Sequence, residues 1–161
     1  MAKRTFIEVT TFFDKPAVTN AVDEATRRVL SRFGAFVRRT ARQSIRRPLM
    51  KRVADLTDAE KARYRKTGRR PKASAKRGKP PRNQTGKLKD NIFFTYNDVH
   101  QFVDIGPAKF PGFDRMGALE HGGMTKARGR MVRVEEHPFM GPAYKDEEPK
   151  LMDMWKDSIH G

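Results

Sequence analysis

Between Val18 and Ile45 the apolar residues return at steps of three and four: Val18, Val22, Ala25, Val29, Phe33, Phe36 or Val37, Thr40 or Ala41, and Ile45. That spacing gathers them on one side of a helix, whereas a strand would need alternation at every second position. Pro16 suits a first helical turn and Pro48 stops the run, so a single long amphipathic helix is expected between them. A stripe of that length has to be covered by another layer. The opposite face carries Arg27, Arg28, Arg32, Arg38, Arg39, Arg42, Arg46 and Arg47, and it is either a solvated face or a contact with a partner or nucleic acid. Gly34 costs about 1 kcal/mol relative to Ala in mid-helix; it is either simply tolerated or a mark of close packing with another backbone.

The covering layer is sought in four extended segments. Thr5 to Phe13 places Ile7, Val9 and Phe13 on one side, as in a half-buried strand. Asn91 to Tyr96 and Gln101 to Ile105 are β-rich runs joined through Asn97 and Asp98, which suits a hairpin. Met131 to Glu135 reads as a further strand through Val132 and Val134. A last helix, starting near Pro142 or Pro149, aligns Leu151, Trp155 and Ile159. The 161 residues suit one core. The expected fold is α+β, a single domain over 1–161: an antiparallel sheet of about four strands, packed by the long N-terminal helix and a C-terminal helix. A basic arm over 48–89 is inserted between the long helix and the sheet.

The net charge of +16 is unevenly placed. Residues 48–89 hold fifteen Lys or Arg against three acids, whereas residues 90–161 hold nine against twelve. A patch of the first kind attracts a polyanion or an acidic protein surface. Within it, Thr57-Asp58-Ala59-Glu60 has the spacing of a capping box that opens a short helix to about Lys66. Thr67 to Pro81 then offers nothing to a core and is expected to be flexible in isolation. The cations Arg69, Arg70, Lys72, Lys76, Arg77, Lys79 and Arg82 are the candidates for DNA or partner contact. Tyr64 is the one aromatic between Lys51 and Lys89, so phosphate contact fits the arm better than base stacking.

Signals for chemistry are sparse. The chain has no cysteine, which removes disulfides and thiolate metal sites. Seven residues separate Gly78 from Gly86 and Leu88 follows Lys87, which is not a phosphate-binding P-loop. His100, His121, His137 and His160 lack metal-ligand spacing. Asp104, Asp114 and Glu120 either gather as an acidic metal site for phosphodiester cleavage or cap loops and pair with arginines. No serine sits in a nucleophile elbow. No catalytic residue, metal site or cofactor is therefore expected, and the chain is read as not an enzyme. Met1 to Val9 lacks the apolar stretch of a secretory leader, and no run approaches ~20 apolar residues; a soluble protein made in a cytosol is expected.

Several short segments, in order, resemble the tail-completion or neck (head-tail joining) family of long-tailed bacteriophages, the minor tail protein Z-like putative tail components. After the long helix, Pro80-Pro81-Arg82-Asn83-Gln84-Thr85-Gly86-Lys87-Leu88 and Asn91-Ile92 are similar to that family's Pro, Thr-Gly-x-Leu and Ser/Asn-Ile pattern. Val103-Asp104-Ile105-Gly106-Pro107 follows, then Leu119-Glu120-His121-Gly122-Gly123, with His121 in an aromatic place. His137-Pro138-Phe139-Met140-Gly141-Pro142-Ala143 resembles an Arg-Pro-Phe-Leu-x-Pro-Ala signature, with His137 replacing Arg. The resemblance marks Thr85, Gly86, Leu88, Gly106, Glu120, Gly122, Pro138, Phe139 and Pro142. It implies a non-catalytic virion protein of the neck or tail, made in the host cytoplasm. Such a protein forms a homo-oligomeric ring between connector or adaptor proteins and tail-tube or tail-terminator proteins. The ring surrounds viral double-stranded DNA, with non-specific phosphate contacts and no membrane. Read without the resemblance, pI ≈ 10.6 and the arginine-rich helix also suit a sequence-independent nucleic-acid-binding protein of ribosomal type; a nuclease is the third reading.

Overall fold

The computed structural model describes residues 15–108, 116–127 and 129–159. The stripe forms α1, Lys15–Ser44. Its apolar face buries Val29, Phe33, Val37 and Ala41, and Ile45 stays buried just beyond the last turn. Val18 and Val22, by contrast, are 45% and 55% exposed. The periodic stripe thus starts about three turns before the apolar core does, because periodicity records which residues share a face and not whether anything lies against them.

What lies against α1 is a hairpin and two helices. β1, Ile92–Asn97, and β2, Phe102–Pro107, pair antiparallel with Phe94 opposite Ile105 and Tyr96 opposite Val103. Alternation turns Ile92 and Phe94, with Val103 and Ile105, toward α1, while Phe93, Thr95 and Asp104 are exposed. The turn is local: Asn97 Oδ1 accepts the N–H groups of Val99 and His100, each at 3.0 Å. Ala108 N donates to Asn91 O at 2.9 Å, so the neighbouring Ile92–Pro107 pair is a non-bonded one and proline's missing N–H leaves no gap. The Ile92 carbonyl, facing outward, accepts Arg38 Nε at 2.7 Å.

Gly34 is where helix and hairpin come closest. A Cβ at that position would stand 2.8 Å from Val103 Cγ2 and 3.0 Å from the Phe94 ring. The close packing is real, but its partners are side chains of the hairpin and not another backbone.

The last helix is two. α5, Met140–Glu147, and α6, Leu151–Ile159, are separated by a 3-10 turn containing Pro149. α5 contributes Ala143, preceded by Phe139, and α6 contributes Met154, with Leu151 and Trp155 packed alongside. Phe33 meets Tyr144 edge to face, ring centroids 5.7 Å apart. Thr40 Oγ1 and Lys150 Nζ donate to the buried Glu147 carboxylate at 2.6 and 2.7 Å. These bonds, that from Lys150 foremost, hold its pKa below the usual carboxyl range.

Among the described residues, the expected sheet of about four strands is corrected to two separate two-stranded sheets. β3, Gly123–Ala127, pairs antiparallel with β4, Arg130–Val134, and not with β1–β2. α4, Met116–His121, leads into β3. The expected strand over Thr5 to Phe13, and Asp114, lie outside the described residues.

Candidate cationic docking surface

After α1 the chain enters the arm with its capping box in place: Thr57 Oγ1 accepts Glu60 N at 3.3 Å and Glu60 Oε2 accepts Thr57 N at 3.0 Å. This opens α2, Asp58–Thr67, which ends on Gly68 at φ 64°. The stretch beyond it is not loose. Lys51 N donates to Pro71 O at 2.9 Å and Ala73 N to Leu49 O at 2.7 Å, on either side of a bridge between Met50 and Lys72. Asn83 N donates to Arg46 O and Gly78 N to Glu136 O, both at 2.9 Å. His137 Nδ1 lies 3.0 Å from Lys79 O. The side chains of this segment offer nothing to a core, but every residue except proline also carries a backbone donor and acceptor, and here those tie the arm to the rest of the chain.

Once pinned, the seven candidate cations separate into three groups. Lys76, Lys79 and Arg82 line a groove of about 510 Å³ together with Arg46, from just past the end of α1. That groove has no acidic residue in its wall. Arg69, Arg70 and Lys72 line a second groove of about 380 Å³ with Arg63 and Glu60. Glu60 is held below the ordinary carboxyl range, first by the Lys51 ammonium at 2.6 Å and then by the Thr57 N–H. Arg77 belongs to neither groove: its Nε donates to Glu136 Oε1 at 3.1 Å. In the sequence Arg46 is one of the arginines of the helix face; its place in the groove depends on the Asn83–Arg46 tether, which no local pattern announces.

The residues marked by the resemblance occupy turns and core positions. Gly86, at φ 86°, precedes the single turn α3, Lys87–Asp90, and donates its N–H to Asn83 Oδ1 at 2.9 Å. Thr85 is exposed beside it, and Leu88 is buried in the core. Gly106 stands opposite Phe93 in the β1–β2 ladder. Gly122, at φ 74°, turns the chain into β3. Pro138 is half-buried, Phe139 buried, and Pro142 exposed in the first turn of α5.

Glu120 connects two of these segments. Its Oε2 accepts the N–H groups of Phe139 at 3.0 Å and Met140 at 3.1 Å, and its Oε1 accepts Gly141 N at 2.7 Å. A carboxylate from α4 thereby caps the start of α5, where free N–H groups and the helix dipole favour an anion. His137 N adds a bond to Leu119 O at 2.6 Å. Of the proposed acidic trio, Glu120 is committed to this cap and Asp104 is exposed on β2. Among the described residues no group of three or more His, Cys, Asp or Glu is placed to hold a metal ion. Nor is any described helix long and apolar enough to cross a membrane.

No family model matches the chain, and neither curated proteins nor solved structures give a match.

Proposed function

We propose that this chain is a non-enzymatic structural protein of a tailed-phage virion, a subunit of the neck or tail-completion layer. Copies form a ring that joins the head connector to the tail tube around the genome path. The observation that carries the reading is the interlock of two family-like segments: the Glu120 carboxylate of Leu119–Gly123 caps the helix opened by His137–Ala143. Segments that lie well apart in sequence behave as one structural unit, and the carboxylate that a nuclease would use is engaged in holding it. The mechanism is geometric: a head-to-tail interface repeated around an axis closes into a ring with a docking face and a channel.

Light scattering after chromatography, on nuclease-treated protein at high salt, tests this directly. A closed oligomer is expected. A monomer whose elution shifts only when nucleic acid is added would favour the sequence-independent nucleic-acid-binding reading, which the acid-free groove also suits. Labelled duplex and single-stranded DNA incubated with Mg²⁺ or Mn²⁺ should stay intact; cleavage abolished by Asp104→Ala or Glu120→Ala would overturn the structural role.

A further inference from the structure

We propose that the groove of Arg46, Lys76, Lys79 and Arg82 is a sequence-independent seat for the phosphate backbone of duplex nucleic acid, a role that rests on the genome-path reading above but not on ring closure. Arg77 is a strut of this seat and makes no contact with the ligand.

Three features carry the assignment. The first is that these four side chains are uncommitted. Three other cations of the arm are paired, Lys51 with Glu60, Arg52 with Asp55 and Arg77 with Glu136, and Arg63, Arg69 and Arg70, unpaired among the described residues, share their groove with Glu60. Arg46, Lys76, Lys79 and Arg82 make no ion pair among the described residues. Like charges that share one wall without an acid gain most from an anion laid across them.

The second feature is that the walls are set before any ligand arrives. Asn83 is tied to Arg46 beneath one side, Ala73 to Leu49 beneath another, and Gly78 and Arg77 to Glu136 along the rim. The His137 ring beside Lys79 O adds a further hold. Ordering of a charged loop is normally part of the cost of binding; here the backbone bonds have already met it.

The third is the character of the lining. It has no aromatic residue, so bases have nothing to stack on and sequence is not read. Protein interfaces are enriched in Arg but depleted in Lys, and they rely on aromatic anchors. A wall of two lysines and two arginines without an aromatic suits phosphate better than an acidic protein.

The experiment is fluorescence anisotropy with a short labelled duplex. Wild-type protein should bind unrelated sequences equally, and the log affinity should fall with log salt at about −3 to −4 if four phosphates are neutralised. Combining Arg46→Ser, Lys76→Ser, Lys79→Ser and Arg82→Ser should remove most of that slope and weaken binding by about a hundredfold or more at low salt. The matched set Arg63→Ser, Arg65→Ser, Arg69→Ser and Arg70→Ser removes the same charge and should change the slope by less than about one unit. Equal losses in the two sets, or preference for one sequence, would overturn the assignment. So would polyglutamate binding in place of duplex. A second readout needs no variant: bound duplex should protect Lys76 and Lys79 from acetylation while Lys61 and Lys66 remain reactive. Unchanged reactivity of Lys76 and Lys79 would overturn it equally. Scattering on the same samples separates the two proposals, since a monomer that shows the protection keeps the groove and loses the ring.

Discussion

β1–β2 and β3–β4 are both antiparallel hairpins, with strands of six and five residues, and their surroundings are opposite. The first lays Phe94 and Val103 over Gly34 and buries Ile92 completely. In the second, Thr125 is buried, while Met124, Met131 and Val132 are 58%, 63% and 43% exposed. A two-stranded hairpin is marginal alone in water, so its stability comes from what it lies against. The first hairpin is therefore part of the body, and the second is held by its ends: by Gly122 at its entry and by the run from Val134 to Phe139, which Leu119 and Glu120 secure.

The packed body is most sensitive at the α1 face. Phe33→Ala should lower stability by about 3–5 kcal/mol, because Phe33 is 3% exposed and its loss leaves a cavity under Tyr144. An unchanged thermal melt would mean that α1 does not organise the core. Gly34→Ala comes next. Helix propensity favours Ala by about 1 kcal/mol, but the added methyl meets Val103 at 2.8 Å, and a β-branched side chain yields poorly. Overpacking costs about 1–3 kcal/mol, so a net loss of stability is expected in denaturant titration; a gain would show that the hairpin can step back freely.

Glu147 sharpens the same contrast through pH. Its folded pKa lies below the unfolded one, so its contribution is present above the unfolded carboxyl range and disappears as pH falls through the folded pKa. Glu147→Gln should cost about 1–3 kcal/mol near neutral pH and flatten part of the acid-side fall in Tm. An acid-side fall as steep as wild type would show that Glu147 contributes nothing to it. The smallest effect is expected at the other hairpin: Met131→Ser should change stability by less than about 0.5 kcal/mol in the same titration. A larger loss would mean that the side of β3–β4 carrying Met131 is packed.

The division between the hairpins also marks how far the sequence could be read. α1, the capping box at Thr57 and Glu60, and the β1–β2 hairpin all carry local signals: a period of three to four, a side chain three residues from its backbone partner, an Asn at a turn. β3 carries none. Gly123-Met124-Thr125-Lys126-Ala127 has one β-branched residue and no apolar alternation, so β4 is legible in the sequence without the strand it pairs with. The exposed start of the stripe at Val18 and Val22, and the division of the last helix at Pro149, likewise depend on packing that a single chain's periodicity does not contain. In the candidate site, composition identified the cations but not their grouping. Arg77 differs from Lys76 only through Glu136, 59 residues away, and Glu120 caps a helix that starts 20 residues downstream.

The described residues have one packed body, organised by α1 and β1–β2, from which β3–β4 stands out. Hydrogen exchange on the free protein tests it strand by strand. The amides that close the β1–β2 ladder around Phe94 and Ile105 should exchange only through opening close to the global unfolding free energy, and those of Thr125 and Val132 much faster, through local opening. Equal protection of the two hairpins in the free chain would contradict the account.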